Sequence, residues 1–246
     1  MKRLSWQVRL GLGLVALSAV LYFFHFAVFR DVHHIFIYLV GDIAFVPIEV
    51  LLVTVIIHRL LTLREKRALL EKLNMVIGAF FSEVGTSLLN YFSSFDPDSE
   101  KIRRELVVEA DWSDREFLEV ATRLKSHDYK VEARHGKIEN LKAFLSGRRN
   151  FMLRLLENPN LLEHDSFTDL LWAAFHLTEE LIHRHSLSEL PDSDLEHLSG
   201  DIRRVYVLLV SEWLDYMQHL KRNYPYLFSL AIRTNPFDPE ASPVVS

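Results

Sequence analysis

The chain has no cysteine. That excludes disulfides, thiolate-bound metals and a cysteine nucleophile. Glycine and proline are scarce, at eight of each in 246 residues. The close-set pair Gly11 and Gly13 lies inside an apolar run, so no glycine-rich phosphate loop is left. There is no G-x-S-x-G, no His-Glu-x-x-His, no tandem repeat and no low-complexity tract. Apolar residues nowhere alternate with polar ones between turn signals, which argues against strands. Excess positive charge is missing too, with 28 basic against 33 acidic residues. Past residue 59 the balance is 23 basic to 30 acidic, so the soluble part is a poor match for nucleic acid, whose phosphates need Lys and Arg in surplus.

What the chain does have is two long apolar runs near its start. Residues 35–57 carry only Asp42 and Glu49 as formal charges over 23 residues. As a helix rising 1.5 Å per residue, that length crosses a hydrocarbon layer about 30 Å thick. Residues 7–29 form the other run. Its basic start and the small residues at Ala16-Leu17-Ser18 suggest a signal peptide, but the apolar stretch continues to Phe29, past a normal signal core. A retained helix is therefore expected, joined to the next by the short link 30–34. Lys2, Arg3 and Arg9 flank the first run, and Arg59, Arg64, Lys66, Arg67 and Lys72 follow the second, whereas the link holds only Arg30. By the positive-inside rule both termini are cytoplasmic and the membrane is of the inner or plasma-membrane type. The five basic residues after the second run form a collar suited to anionic headgroups.

Polar residues in the hairpin recur on helical faces: Ser18, Tyr22 and His25 in the first run, Tyr38, Asp42 and Glu49 in the second. Antiparallel depth matching sets Tyr22 and His25 near Asp42, and Ser18 within a turn of Glu49. Facing lipid would cost about 2.5–3.5 kcal/mol for a mid-helix Asp, so the faces should meet each other or meet in an oligomer. Glu49, two residues after Pro47, has two readings: an ion or proton path in an oligomeric channel, with Asp42 facing the same pore, or a protonated group that hydrogen-bonds a neighbouring helix.

From Arg59 to residue 92 apolar residues recur at Leu63, Leu70, Leu73, Ile77, Phe80, Val84 and Leu88, close to a heptad seam. This predicts either an oligomerisation stalk or an amphipathic helix packed on its own domain. After a turn-rich break at 93–99 the chain reads helical at 100–109, at 114–126 and at roughly 130–157, up to Asn158-Pro159. A helix runs on from Ser166. Another spans about 194–222, opened by a capping box at Ser193 and Glu196. The apolar segment 224–232 should be buried, and Asn235-Pro236-Phe237 matches a tripeptide that peptide-binding modules read. The expected organisation is a membrane hairpin over 1–58, a stalk over 59–92, a cytoplasmic helical bundle over 93–238 and a loose tail over 239–246.

Twelve histidines invite a test for metal chemistry. Glu180 and His183 have the Glu-x-x-His spacing of carboxylate-bridged di-metal bundles, and His176 shares their face. Glu132 and His135 repeat the spacing, and Glu212 offers a further carboxylate. A chain so rich in histidine and acid yields such spacings by chance. The alternative places His176 in the bundle, with His183 and His185 on the surface near a helix end, where the helix dipole favours them.

The reading as a whole is an all-α, two-span membrane protein that self-associates and presents a cytoplasmic helical domain as scaffold or sensor. Its expected partners are the bilayer, further copies of the chain and a cytoplasmic protein. No cofactor is expected, and catalysis enters only through the metal alternative.

Overall fold

The computed structural model describes residues 6–134 and 137–244, leaving aside the side chains of 65–72 and 162–163. The described residues are helical with no strand, and the chain divides into two compact units, Met1–Lys66 and Arg67–Ser246.

The first unit is a helical hairpin. Helix α1 (Trp6–Phe29) is followed by α2 (Val32–Phe80), whose later residues belong to the second unit. The link is two residues, shorter than the expected 30–34. Arg30 adopts a left-handed conformation, with φ of 50°, and its N–H donates to the Phe26 carbonyl at 2.8 Å, closing α1 in the manner of a left-handed cap. Asp31 Oδ1 then accepts from the amides of His33 and His34 at 2.9 and 3.2 Å. Two orphan donors are thus met and α2 starts at once. The helix continues through Pro47. No residue of α1 is buried, and both helices are apolar and long enough to cross a membrane.

The second unit is a helical bundle built around α8 (Asp192–Asn223), which packs against α3 (Thr86–Phe95), α5 (Asp114–Lys125), α7 (Asp165–His183) and α9 (Pro225–Arg233). Helix α6 (Ile138–Leu156) lies against α7, and α4 (Ser99–Leu106) against α5. The buried side of α8 runs from Leu198 through Ile202, Val205, Leu209 and Trp213 to Leu220, a helical stripe wide enough for neighbours on several sides.

The heptad-like residues from the end of α2 into α3 end up inside this bundle. Leu73, Ile77, Phe80, Val84 and Leu88 are all buried in their own domain, so from Leu73 onward the seam serves an intramolecular core and not a coiled-coil stalk. The physical reason is the width of the apolar face, since Phe81 and Leu89 are buried as well. A π turn over Phe81–Gly85 makes this possible. Its extra residue turns consecutive phenylalanines to different neighbours: Phe80 meets Phe167 edge-on at 5.3 Å, and Phe81 stacks on Tyr216 at 5.0 Å. Gly85 permits the turn, because a Cβ there would sit 2.6 Å from Phe81 Cδ1.

Several local expectations change. The capping box forms at Ser113 and Glu116, opening α5. The one expected at Ser193 and Glu196 does not form, because α8 begins two residues sooner, after Pro191, whose fixed φ suits a helix start. Residues 127–132 form a strap outside any helix, followed by a turn at Ala133 and Arg134. Tyr129 and Ala133 turn inward at a period of two, and the strap is held by Glu132 N–H to the Phe95 carbonyl and Ala133 N–H to Ser199 Oγ. Gly147 does not interrupt α6. Within 224–232 only Phe228 is fully buried, while Tyr226 is 72% exposed beside a groove of about 580 Å³. The Asn-Pro-Phe tripeptide is not displayed for a reader. Asn235 is buried, its Nδ2 donates to the Leu106 carbonyl at 2.8 Å and its Oδ1 accepts from Phe237 N–H, while Phe237 packs against Trp213.

Candidate functional site

In the hairpin, Ser18, Tyr22 and His25 do share a face. With Leu21, His34, Ile35 and Tyr38 they line a cavity of about 520 Å³. The partners differ from those that depth matching predicts. His25 stacks on His34 at 5.7 Å, and His34 meets Tyr38 edge-on at 4.7 Å. Asp42 and Glu49 lie outside that lining and are exposed on α2. Starting α2 at Val32 brings His34 into reach of His25 in place of Asp42. Arg59 and Arg64 are exposed further along α2. The side chains of Lys66, Arg67 and Lys72 lie outside the described residues.

The second candidate lies between α7 and α8. Helix α7 forms because Phe167, Leu170, Leu171, Ala174, Leu177 and Leu181 recur every three or four residues and are buried. His164 caps it, Nδ1 accepting from Phe167 N–H at 3.3 Å. With that face turned inward, His176 and Glu180, one turn apart, stand at the seam with α8. There α8 presents its own one-turn pair, His197 and Asp201. Glu180, His197 and Asp201 bring ligand atoms within 4.8 Å of one another, and His176 stands at their edge. His197 Nε2 is 3.3 Å from Asp201 Oδ2 and 3.7 Å from Glu180 Oε2. His176 Nε2 is 3.5 Å from the same Asp201 oxygen and 3.9 Å from Glu180 Oε1.

Each carboxylate is held from behind by an arginine. The Arg184 guanidinium donates to Glu180 Oε2 at 2.6 Å and grips Asp194 with two further bonds of 2.8 and 2.6 Å. These hydrogen bonds keep both acids below the usual carboxylate range, against the opposing pull of partial burial. Arg204 donates to Asp201 Oδ1 at 3.0 Å. Asp201 Oδ2 is left buried, without a hydrogen bond of good geometry, and turned toward the two imidazoles. The Asp201 side chain is 4% exposed, whereas His176 and His197 are 48% and 52% exposed, so the cluster opens on solvent from its histidine side.

Of the predicted metal residues the structure unites His176 and Glu180 and removes His183. That ring turns to the end of α7, Nδ1 lying 2.8 Å from the Glu179 carbonyl. Glu132 sits on the strap outside any helix, and His135 lies outside the described residues. Glu212 is eleven residues past Asp201 on α8, about 16 Å along the axis. It is buried near Ser166 and His164, and burial pushes its carboxyl up. Among the described residues the four-glutamate di-metal pattern is therefore not assembled. His197 and Asp201 escaped the spacing test because that test sought Glu-x-x-His. The signal present was a His-x-x-x-acid pair on each of two successive helices.

Family models match almost the whole chain: residues 2–61 match the MJ1433 N-terminal helical domain and residues 69–233 the MJ1433 C-terminal helical domain. The chain belongs to the MJ1433 family. A relative from Methanocaldococcus jannaschii, described as uncharacterized protein MJ1433, is 48% identical over 233 residues, covering 95% of this chain and 94% of that protein. No solved structure matches. The family's two domains part between residues 61 and 69, the stretch in which the structure also divides.

Proposed function

We propose that this member of the MJ1433 family is a two-span membrane protein whose hairpin self-associates and holds the helical domain at the cytoplasmic face as an interaction module. The observation that carries this reading is the hairpin's bare apolar surface. From Trp6 to Ile57 nearly every large apolar side chain is exposed, Phe23 at 72% among them. Soluble proteins rarely show contiguous apolar patches beyond about 300–600 Å², whereas lipid would solvate such a surface without cost. Self-association follows from Asp42 and Glu49. Both stand exposed on the same apolar helix, and in lipid each calls for a polar partner from another helix.

The absence of native cysteine makes the topology directly testable. His33→Cys places a thiol on the first turn of α2, beside the hairpin link, and Ser242→Cys places one in the tail. A membrane-impermeant maleimide applied to intact cells should label the first and reach the second only after permeabilisation. Labelling of the tail from outside refutes the orientation, and recovery of the chain in the aqueous fraction without detergent refutes the anchoring. The particle mass in detergent should exceed one chain, and a monomer refutes self-association.

A further inference from the structure

We infer that His176, Glu180, His197 and Asp201 form a binding site for a divalent transition cation of the zinc class, which cross-links α7 to α8. This inference does not depend on the membrane reading. Zinc bonds to imidazole nitrogen and carboxylate oxygen measure about 2.0–2.2 Å, so neighbouring ligand atoms around a tetrahedral ion stand about 3.3–3.6 Å apart. Glu180, His197 and Asp201 already hold ligand atoms within 4.8 Å of one another, and His176 Nε2, 3.5 Å from the shared Asp201 oxygen, joins them by a side-chain rotation at its half-exposed position. Donor chemistry selects the ion: two imidazoles with two carboxylates suit zinc and its neighbours, whereas magnesium and calcium prefer oxygen alone.

Two further features distinguish this cluster from a chance meeting of surface charges. The first is Asp201 Oδ2, buried and without a good hydrogen bond. A buried carboxylate oxygen left so is costly, and a cation between it and the imidazoles removes that cost. The second is the pair of arginines. Each occupies one oxygen of one ligand carboxylate and fixes its rotamer, as outer groups do around metal-binding side chains. Arg204 leaves Asp201 Oδ2 to the two imidazoles, and Arg184 leaves Glu180 Oε1 on the His176 side while holding the Oε2 that lies nearer His197.

The test uses the full-length protein in detergent, stripped with a chelator and then titrated with zinc alone and, separately, with cobalt(II) as a coloured substitute. One equivalent should bind per chain, the cobalt form should show the strong visible absorption of a tetrahedral centre, and zinc should raise the melting temperature. His197→Ala and His176→Ala, on half-exposed positions that a folded domain tolerates, should each weaken binding at least about tenfold, or roughly 1.4 kcal/mol. Asp201→Asn should do the same, and His183→Ala should bind as the native protein does. Failure to bind zinc, an octahedral cobalt spectrum, or binding unchanged in both histidine variants overturns the assignment.

Discussion

The burial of Phe80 decides whether the end of α2 is a stalk or a core element, and Phe80→Ala measures it. The ring is fully buried and makes edge contacts with Phe167 at 5.3 Å and Phe81 at 5.5 Å. Removing it forfeits about 1.5–3 kcal/mol of transfer free energy and adds the cost of the cavity left behind. Edge-to-face pairs contribute about 0.5–1.5 kcal/mol beyond area. The expected destabilisation is about 3–5 kcal/mol, the usual range for a buried phenylalanine. In a unit of this size each kcal/mol lowers the melting temperature by about 2–4 °C, so the shift should be about 6–20 °C. The assay is thermal unfolding of the full chain in mild detergent, read by the shift in tryptophan fluorescence as Trp213, buried in the same core, becomes exposed. Leu63→Ala, at an exposed position of the same helix, serves as comparator and should stay within about 0.5 kcal/mol. A melting shift below 2–3 °C for Phe80→Ala (under about 1 kcal/mol), accompanied by a fall in oligomer mass, would return the residue to an intersubunit seam and refute the argument.

Gly85→Ala should destabilise the same domain, because its Cβ would collide with Phe81; urea unfolding would show a lower midpoint, and an unchanged midpoint would mean that the π turn has relaxed into regular helix. Arg184→Met removes the guanidinium between Glu180 and Asp194 and should cost about 1.5–3 kcal/mol at neutral pH, the range for hydrogen bonds to charged groups. Both acids are held below their ordinary values of 4.5 and 3.8, so their contribution is complete above those values and fades as pH falls through the lower folded ones. The native protein should therefore lose stability on acidification more steeply than the variant, and parallel pH profiles would contradict the pairing. Glu212 runs the other way: its folded value is raised by burial, so stability should decline as pH rises from 4.5 through the folded value. Glu212→Gln should flatten that decline and melt higher than the native protein at pH 8. Asn235→Ala strands the Leu106 carbonyl and the Phe237 amide, at a cost of about 1–3 kcal/mol; if stability holds while a peptide-binding partner is lost, the tripeptide is a displayed motif after all.

The parts of the cluster could be read in the sequence, but their meeting could not. Glu180 stood out through its Glu-x-x-His spacing to His183, and His176 because it shares their helical face. His197 and Asp201 have the spacing of His176 and Glu180, but nothing local says which helix face an i, i+4 pair will confront. His183 looked an equal candidate until the end of α7 turned it toward its own backbone. The capping box shows the same limit. Ser113 with Glu116 and Ser193 with Glu196 have matching patterns, and only the position of Pro191 at the actual helix start separates the one that forms from the one that does not.

The sequence alone determined the helical class and the two apolar helices, because both follow from short-range rules: periodicity of 3.6, few turn formers and unbroken length. Tertiary structure decided what those helices do with their faces. It buried the apparent coiled-coil seam inside one domain, hid the Asn-Pro-Phe segment beneath α8, and brought two histidines and two acids together across a helix pair. These outcomes depend on crossing angles and on competition among apolar stripes for one core, quantities that no local window of residues contains.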